Sequence, residues 1–337
     1  MANSSTDTSE KRVGRGYCLL SGGLDSQLSV CVLREQGLYV EGLVFASPFF
    51  KIDAAKQAAK ALNIPLHIVP FTADIIGLVK SPPHGFGGAM NPCIDCHARM
   101  IKRAGEMMVA NGFDFVATGE VLNQRPMSQT RTSLKTVERD SGLSGRLLRP
   151  LCALHLEPTI PEQEGLVDRT RLLDLSGRSR KPQMELAEKF GLVDYPSPAG
   201  GCLLTEKGFC RKLMDLKTHE GLDTEHNVWL LLYGRHFRLP DGAKCIVGRD
   251  AHDNAALKRM KRASDILLHT VNVPGPSVLL ANTASESDVE QAVLLCASYG
   301  DIRGRTHVVV RIIRDDDQPQ EKTVAPVEKT RFQGLML

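Results

Sequence analysis

The chain has 337 residues, which is enough for two domains with substantial cores. Charged residues make up 24% of it, hydrophobic residues 42%, and the formal net charge is +3. This composition argues against a disordered chain, and no apolar run reaches the length of a transmembrane helix. Residues 1–10 are polar and lack the hydrophobic stretch of a secretory signal. We therefore expect a disordered start at residues 1–13, no membrane partner and a cytoplasmic protein.

The first predicted element is a buried strand that ends in a glycine turn, at residues 17–26 with the sequence YCLLSGGLDS. Its two glycines permit positive φ and let backbone N–H groups approach an anion. The helix that follows offers its N-terminal dipole to phosphate, and the two serines add hydroxyl donors. Asp25 indicates either a Mg²⁺ ligand or a helix N-cap. The chain has no G-x-x-x-x-G-K-[ST] loop, and the turn is not G-x-G-x-x-G.

The pattern S-G-G-x-D-S after a strand resembles the phosphate loop of the PP-loop ATP pyrophosphatases. That family cleaves ATP between the α and β phosphates, adenylates a carbonyl oxygen and lets a nucleophile displace AMP. The resemblance implies that the loop holds ATP with Mg²⁺ and that Asp25 is catalytic. It assigns ATP binding to Ser21, Gly22, Gly23, Asp25 and Ser26.

Strands and helices alternate along the chain after this loop. We predict strands over residues 38–45, 66–69 and 113–117 and from 147, and helices over residues 52–62 and 94–110. This alternation predicts an α/β fold with a doubly wound, Rossmann-like parallel sheet, joined to a second and smaller α+β domain. The ligand of such a sheet lies beyond the carboxyl ends of its strands, where the glycine turn is expected.

A C-x-x-C pair, Cys93 and Cys96, begins the helix predicted before the fourth strand, where the helix dipole favours a thiolate. There is no second C-x-x-C, and Cys202, at the end of a proline–glycine loop over residues 196–201, is the best third ligand. Three thiols suit a [4Fe–4S] cluster with one open iron, and they equally suit a persulfide-carrying pair. A structural zinc site completed by His97 or a carboxylate is the further alternative.

The pattern N-P-x-x-x-C, followed by a helix that carries Ile101 and Lys102, resembles the catalytic segment of MnmA-type tRNA 2-thiouridine synthases. In that family a cysteine that matches Cys96 receives sulfur, and a distant cysteine, best matched by Cys202, partners it. The family has an aspartate where this chain has Cys93. That departure resembles the cluster-dependent thiolases instead. The two resemblances imply that Cys96 and Cys202 are catalytic and that Cys93, Cys96 and Cys202 hold a [4Fe–4S] cluster.

Residues 117–130, which begin ATGEVLNQ, and the sequence LRPL at 148–151 resemble the ThiI-type 4-thiouridine synthases. A glycine at a strand end beside a small hydroxyl can admit a nucleotide and donate a hydrogen bond, which assigns Thr118 and Gly119 to ATP binding. The alternative is a glycine that merely ends a strand. Together, these resemblances cover most of residues 17–205.

A second unit is predicted from about residue 234. The blocks at residues 244–254, 265–269 and 274–278 resemble the NFACT-R domain, a module associated with RNA. Four cations on one predicted helix over residues 251–262 suit phosphate contacts, and a solvated basic face is the alternative. These predicted RNA-binding residues are Lys258, Arg259, Lys261 and Arg262. After the disordered start, we thus expect a PP-loop ATP-binding domain at 14–175, a connecting segment at 176–233, an NFACT-R-like domain at 234–315 and a flexible tail at 316–337.

These patterns predict an ATP-dependent tRNA sulfurtransferase that adenylates a uridine carbonyl oxygen and replaces it with sulfur. The expected cofactors are ATP, Mg²⁺ and a [4Fe–4S] cluster. The expected partners are tRNA and a sulfur donor, which is a cysteine desulfurase, a sulfur carrier or free sulfide. Two alternatives stay open: a PP-loop amidating ligase that uses ammonia, and a non-catalytic RNA-binding or iron–sulfur regulatory protein. The sequence does not decide between the 2 and 4 positions of uridine.

Overall fold

The computed structural model describes residues 12–196, 201–281, 283–315 and 318–337. The chain divides into two compact units, an N-terminal unit of residues 1–205 and a C-terminal unit of residues 206–337. Most of the expected disordered start and residues 197–200 of the loop before Cys202 lie outside the described residues. Within the described ranges, none of the helices combines the length and the hydrophobicity that a membrane span requires.

The N-terminal unit is built on a sheet of five parallel strands in the order β3-β2-β1-β4-β5. The strands are β1 Arg15–Leu19, β2 Tyr39–Ala46, β3 Leu66–Pro70, β4 Phe115–Ala117 and β5 Leu147–Leu148. The strand order reverses across β1, which is the topology of a doubly wound sheet. The predicted α/β fold with a doubly wound parallel sheet is therefore confirmed.

Helices follow the strands of this sheet as the alternating pattern predicts. They are α1 Leu24–Glu35, α2 Asp53–Ala61, α3 Thr72–Lys80, α4 Cys93–Ala110, α5 Arg131–Ser141, α6 Ile160–Gln163 and α7 Lys181–Phe190. Leu24 and Leu28 of α1 share one core with Cys18 of β1 and Ala187 of α7. Because β1 lies where the strand order reverses, the loop between β1 and α1 opens at the carboxyl edge of the sheet.

The C-terminal unit contains a six-stranded antiparallel sheet in the order β11-β10-β8-β9-β7-β6. The strands are β6 Arg235–Arg238, β7 Lys244–Val247, β8 Asp265–Thr270, β9 Ser277–Ala281, β10 Val308–Ile313 and β11 Gln320–Val324. The helices are α8 Lys207–His219, α9 Glu225–Leu230, α10 Ala251–Met260 and α11 Glu286–Ser298. The predicted second, smaller domain of α+β type is confirmed.

Helices cover both faces of this antiparallel sheet. On β9, Val278 and Leu280 lie in one core with Val289 of α11, whereas Leu279 points the opposite way and packs in a separate core with Leu257 of α10. Successive side chains of a strand point to opposite faces, so a continuous apolar run is what a strand buried on both faces requires. The run SVLLA at β9 meets that requirement.

The structure corrects the expectation of a flexible tail from residue 316. Strand β11 pairs antiparallel with β10, and a 3₁₀-helix over Lys329–Leu335 buries Phe332 completely in the core that also contains Phe237. Strand β11 lies at the edge of the sheet, and most of its side chains are exposed. An exposed edge strand needs no apolar alternation, so the charged sequence QEKTV gives no strand signal.

Candidate functional site

The turn between β1 and α1 has the backbone that a phosphate loop requires. Gly22 has φ +82°, and a Cβ on it would lie 2.3 Å from the carbonyl carbon of Ala54. Gly23 has φ −72° and is the N-cap of α1, with no side chain capping the helix. The first-turn N–H groups of α1 therefore have no side-chain acceptor, and they are free to bind an anion at the positive end of the helix dipole.

The two serines of the turn lie against each other across the helix N-terminus. Their hydroxyl oxygens are 3.3 Å apart, and Ser21 Oγ also accepts a hydrogen bond from the Gly23 N–H at 3.3 Å. Ser26 Oγ donates to the Gly23 carbonyl at 2.8 Å. Ser21 is exposed and Ser26 is buried, so one hydroxyl lies at the solvent side of the turn and the other lies inside it.

Asp25 lies in the first turn of α1 and does not cap the helix, because Gly23 occupies the N-cap position. Its Oδ2 accepts a hydrogen bond of 2.9 Å from the Gln124 side-chain amide. Its Oδ1 is buried and has no hydrogen-bond partner within the described residues. A buried carboxylate oxygen without a partner is costly, which makes this atom a candidate ligand for a cation.

Gly119 brings the end of β4 against the same turn. A Cβ on Gly119 would lie 2.6 Å from the Asp25 carbonyl carbon and 2.6 Å from the Ser26 nitrogen, so only glycine fits there. The neighbouring Thr118 is 4% exposed, and its hydroxyl donates to Glu120 Oε2 at 3.0 Å. The structure thus brings Gly119 to the loop, while the Thr118 hydroxyl is engaged by a carboxylate of the protein.

Glu120, the residue after Gly119, is the centre of a buried ion network. Its Oε2 accepts from Arg149 Nε at 2.9 Å, and its Oε1 lies 3.2 Å from His97 Nδ1. Arg149 also contacts Glu138 at 3.0 Å. Burial raises the pKa of Glu120, but the Arg149 charge and the His97 hydrogen bond outweigh it and lower the pKa to about 2. The network ties helix α4 to the strand end that touches the loop.

Cys93 and Cys96 lie in the first turn of α4, as the C-x-x-C pattern predicts. Cys93 is half-buried, and its Sγ accepts a hydrogen bond of 3.1 Å from the Asn91 side-chain amide. Cys96 is buried, and burial raises the pKa of its thiol well above the ordinary value. The nearby thiols of Cys202 and Cys93 raise that pKa further. Cys96 is therefore a neutral thiol in the absence of a ligand.

Cys202 reaches the other two cysteines from a remote part of the chain. It forms a β-bridge with Phe50, and the Leu203 N–H donates to the Phe49 carbonyl at 3.1 Å. These contacts hold residues 201–203 against the segment that follows β2. Since the three thiols influence one another electrostatically, the three predicted ligands converge on one place.

The spacing of the three thiols bears on which metal group they could hold. Across the described ranges, the one group of three or more ligand atoms that all lie within 4.8 Å of one another is Asp250, His252 and Asp253, and it contains no cysteine. A tetrahedral zinc ion with Zn–S bonds of about 2.3 Å would bring its sulfur ligands to about 3.8 Å from one another. At least one pair of the three sulfur atoms of Cys93, Cys96 and Cys202 therefore lies farther apart than 4.8 Å.

The four predicted RNA-binding cations do not form one helical face. Helix α10 ends at Met260, so Lys258 and Arg259 lie in its last turn and are exposed, while Lys261 is the C-cap and is half-buried. Lys261 forms a short ion pair with Asp315. Arg262 is half-buried beyond the helix, and its N–H donates to Asp265. This corrects the prediction of one basic helix over residues 251–262.

Arg311 is a further cation that lies near Lys258 in the folded sheet. His269 of β8 pairs in register with Arg311 of β10. Burial lowers the pKa of His269, and the charges of Lys258 and Arg311 lower it further. Lys258 and Arg311 therefore create a positive field on the α10 side of the sheet. Residues 258 and 311 are far apart in the chain, so only the strand pairing reveals the group.

Comparison with known proteins gives two family matches. Residues 12–161 match the family model of the thiamine biosynthesis protein (ThiI), and residues 234–336 match the family model of the NFACT protein RNA binding domain. Each match corresponds to one of the resemblances found in the sequence. The ThiI match contains the glycine turn and the C-x-x-C helix, and it ends before Cys202.

Curated relatives match the N-terminal part of the chain. A "Probable tRNA sulfurtransferase" of Acholeplasma laidlawii is 31% identical over 153 residues, which cover 41% of this chain and 34% of that relative. The tRNA-specific 2-thiouridylase MnmA of Marinobacter nauticus is 30% identical over 208 residues, covering 56% and 50%. The chain thus spans half or less of the length of these relatives.

Among solved structures, a complex of a 4-thiouridine synthetase with RNA and bound ATP is similar with a TM-score of 0.39 and 23% identity, covering 53% of this chain and 41% of that one. Residues 12–161 of the chain are thus similar to the ThiI family, and residues 234–336 are similar to the NFACT RNA-binding family.

Proposed function

We propose that the protein is an ATP-dependent tRNA sulfurtransferase that converts a uridine of tRNA to a thiouridine. The observation that carries this proposal is the convergence of Cys93, Cys96 and Cys202 at the start of helix α4, which the His97–Glu120 contact ties to the strand end that touches the phosphate loop. A sulfur site beside a nucleotide site is the arrangement that activation and sulfur transfer need. The relatives named as tRNA sulfurtransferase and 2-thiouridylase support the same reaction.

In this proposal, ATP binds at the turn between β1 and α1. The open N–H groups of the helix N-terminus and the hydroxyls of Ser21 and Ser26 receive its phosphates. The close packing of Gly22 against Ala54 and of Gly119 against Asp25 fixes the backbone of the loop that receives the nucleotide. The orphaned Asp25 Oδ1 fits a Mg²⁺ ion, since a hard cation prefers carboxylate oxygen. Such an ion would neutralise charge on the departing pyrophosphate.

The proposed reaction has two steps. The carbonyl oxygen of the uridine attacks the α-phosphorus of ATP, the bond to the β-phosphate breaks, and pyrophosphate leaves. Sulfur at the oxidation level of sulfide then attacks the ring carbon, the C–O bond breaks, and AMP leaves with the oxygen. The exchange is redox-neutral, and adenylation is needed because oxygen alone is a poor leaving group. The protein contributes by holding both reactants in position and by stabilising the developing negative charge.

Cys96 and Cys202 are the proposed sulfur-handling residues, and Cys93 completes a three-thiol site for a [4Fe–4S] cluster. Three cysteine sulfurs are ordinary ligands for such a cluster, and they leave one iron without a protein ligand. At least one pair of these sulfur atoms lies farther apart than 4.8 Å, whereas a tetrahedral zinc ion holds its sulfur ligands about 3.8 Å apart. A bound cluster would supply an open iron site that can carry sulfide. The proposed donor is a cysteine desulfurase, a sulfur carrier or free sulfide.

The C-terminal unit is the proposed tRNA-binding part of the protein. Its match to an RNA-binding family and the exposed cations Lys258 and Arg259 support this role. Contacts of lysine and arginine with phosphate give affinity but little sequence selectivity, so the N-terminal unit must select the uridine. With a tRNA substrate, the cytoplasm is the proposed location of the enzyme.

A direct test mixes the purified, reconstituted protein with ATP, Mg²⁺, sulfide and unmodified tRNA, and follows the nucleotide products. The proposal predicts AMP, pyrophosphate and thiouridine, all dependent on tRNA. An amidating ligase would form AMP with ammonia, and alanine at Cys93, Cys96 and Cys202 would leave it active. A regulatory protein would bind ATP and form no AMP when tRNA is added. Either result would reject the sulfurtransferase.

A further inference from the structure

Two glutamines, Gln183, which is buried, and Gln124, which is half-buried, connect helix α7 to the first turn of α1. The side-chain amide of Gln183, on α7, donates to Gln124 Oε1 at 3.2 Å. The amide of Gln124, in the segment after β4, donates in turn to Asp25 Oδ2 at 2.9 Å. Gln183 is 1% exposed, so water does not compete for its contact with Gln124.

The order of these hydrogen bonds fixes the orientation of the middle residue. A glutamine amide has one oxygen that accepts and one nitrogen that donates. Because the Gln124 oxygen receives the Gln183 amide, the Gln124 nitrogen must face Asp25. If the Gln124 amide turned over, its oxygen would face the carboxylate and its nitrogen would face a donor. Gln183 therefore decides which atom of Gln124 meets Asp25.

This chain of contacts divides the two oxygens of Asp25 into different roles. Oδ2 is occupied by Gln124, whereas Oδ1 is buried and has no partner within the described residues. Since a hydrogen bond to one oxygen fixes the plane of the carboxylate, the other oxygen keeps one direction. The unpartnered Oδ1 is thus held ready for a ligand that the protein itself does not supply.

A third glutamine, Gln27, attaches the connecting segment to the same loop. Gln27 of α1 is 1% exposed, and its amide donates both to the Gly22 carbonyl at 2.9 Å and to the Asp194 carbonyl at 3.1 Å. The segment that carries α7 is therefore bound to the loop at both ends of the helix. This anchoring gives Gln183 a fixed position from which to orient Gln124.

We propose that Gln124 and Gln183 are positioning residues that aim Asp25 Oδ1 at the divalent cation of a bound nucleotide. The inference rests on the proposed function in one respect, that the loop binds a metal–nucleotide complex. Residues that orient a metal ligand through hydrogen bonds change metal affinity by about 10- to 100-fold when they are removed. Gln183 acts only through Gln124, so their effects must depend on each other.

The test measures Mn²⁺ binding by electron paramagnetic resonance in the presence of α,β-methylene-ATP, which the enzyme cannot cleave. The variants are Gln124→Met, Gln183→Met and the double variant, because methionine keeps the length of the side chain and removes the amide. Gln163→Met is the matched control, since this α6 residue donates only to the Pro158 carbonyl. Binding of the analogue in EDTA and thermal melting are measured alongside.

Gln124→Met is expected to weaken Mn²⁺ binding about 10-fold, and the double variant no more than Gln124→Met alone. Nucleotide affinity in EDTA and the control variant should stay within about twofold of wild type, a difference of about 0.4 kcal/mol. If Gln124→Met does not fold, the test uses Gln183→Met, which leaves Gln124 in place. This variant should weaken Mn²⁺ binding at least threefold, which corresponds to about 0.7 kcal/mol.

The proposal is overturned if Mn²⁺ affinity is unchanged in the glutamine variants, or if the double variant weakens it by the product of the single effects. It is also overturned if wild-type protein binds no Mn²⁺ with the analogue. The measurement needs no turnover, so it separates the two proposals. If the variants lose Mn²⁺ while wild type makes no thiouridine, the positioning role stands and the sulfurtransferase fails.

Discussion

Replacing Arg149 with methionine removes the cation at the centre of the Glu120 network. The Arg149 side chain is 2% exposed and contacts Glu120 at 2.9 Å, Glu138 at 3.0 Å and the Leu134 carbonyl at 3.1 Å. Methionine preserves the apolar part of the side chain but leaves the Glu120 carboxylate buried without its cation. Breaking one side of a buried ion pair typically costs about 3–5 kcal/mol.

The pKa of Glu120 gives a second value for the free energy that this ion pair contributes to folding. The network lowers it from 4.5 to about 2, and a shift of that size corresponds to about 3 kcal/mol of stability. Because the folded-state pKa is lowered, this stability is present above pH 4.5 and is lost as the pH falls towards 2. In Arg149→Met, burial dominates and raises the pKa of Glu120, so the carboxyl group is protonated at a higher pH than in wild type.

Differential scanning calorimetry of the full chain measures the effect. For a unit of this size, a loss of about 3 kcal/mol lowers the transition midpoint by about 6–12 °C. Trp229 is the single tryptophan of the chain and lies in α9 of the C-terminal unit. Its fluorescence should report an unchanged midpoint, which assigns the shifted transition to the N-terminal unit.

Two further variants separate the buried ion pair from a general effect of removing charge. Arg139→Met is the matched control, because Arg139 is 70% exposed beside Asp140 and an ion pair in solvent contributes little to stability. The double variant Glu120→Gln/Arg149→Met should regain most of the stability that Arg149→Met loses, since no buried charge remains unpaired. The reasoning is refuted if Arg149→Met costs no more than Arg139→Met, or if the double variant is no more stable than Arg149→Met.

Three other substitutions test separate parts of the site. Gly119→Ala places a methyl group 2.6 Å from the Asp25 and Ser26 backbone, so ATP affinity by calorimetry should fall at least 10-fold, and unchanged affinity would contradict the close packing. Cys202→Ser should abolish thiouridine formation in the reconstituted assay. The control Cys31→Ser changes another half-buried cysteine and should retain the activity. Equal activity of the two variants would show that Cys202 is not a site residue. Lys258→Ala should weaken tRNA binding and reduce the salt slope of the logarithm of affinity by about one, whereas Lys261→Ala, paired with Asp315, should change the slope less.

The phosphate loop and the parallel sheet could be predicted because their signals are local. A strand, two glycines and the start of a helix lie within residues 17–26, so a short stretch of sequence is enough to predict all three. The C-x-x-C pair is equally local, since its two thiols belong to one helical turn. Cys202 was found by its chemistry rather than its spacing, because no other thiol followed a loop of small residues.

The contacts that support the site could not be predicted from the sequence. Glu120 and Arg149 are 29 residues apart, and Gln124 and Gln183 are 59 residues apart. Charged and amide side chains at such separations give no periodic signal, and only the folded sheet brings them together. The same holds for the pairing of His269 with Arg311 across β8 and β10.

Two predictions for the C-terminal unit, the helix over residues 251–262 and the flexible tail from residue 316, were wrong for physical reasons. The basic run after Met260 reads as a continuing helix because lysine and arginine are good helix formers, but Lys261 has ψ 129° and ends it. Strand β11 is an exposed edge strand, so its charged sequence resembles a tail. In both cases tertiary structure, rather than local preference, decides the conformation.

The most direct test of the central claim is mass spectrometry of tRNA nucleosides from cells that lack the gene. We predict that one thiouridine disappears, that the wild-type gene restores it, and that the Cys202→Ser gene does not. An unchanged set of thionucleosides in the deleted cells, or full restoration by Cys202→Ser, would contradict tRNA thiolation by this three-cysteine site.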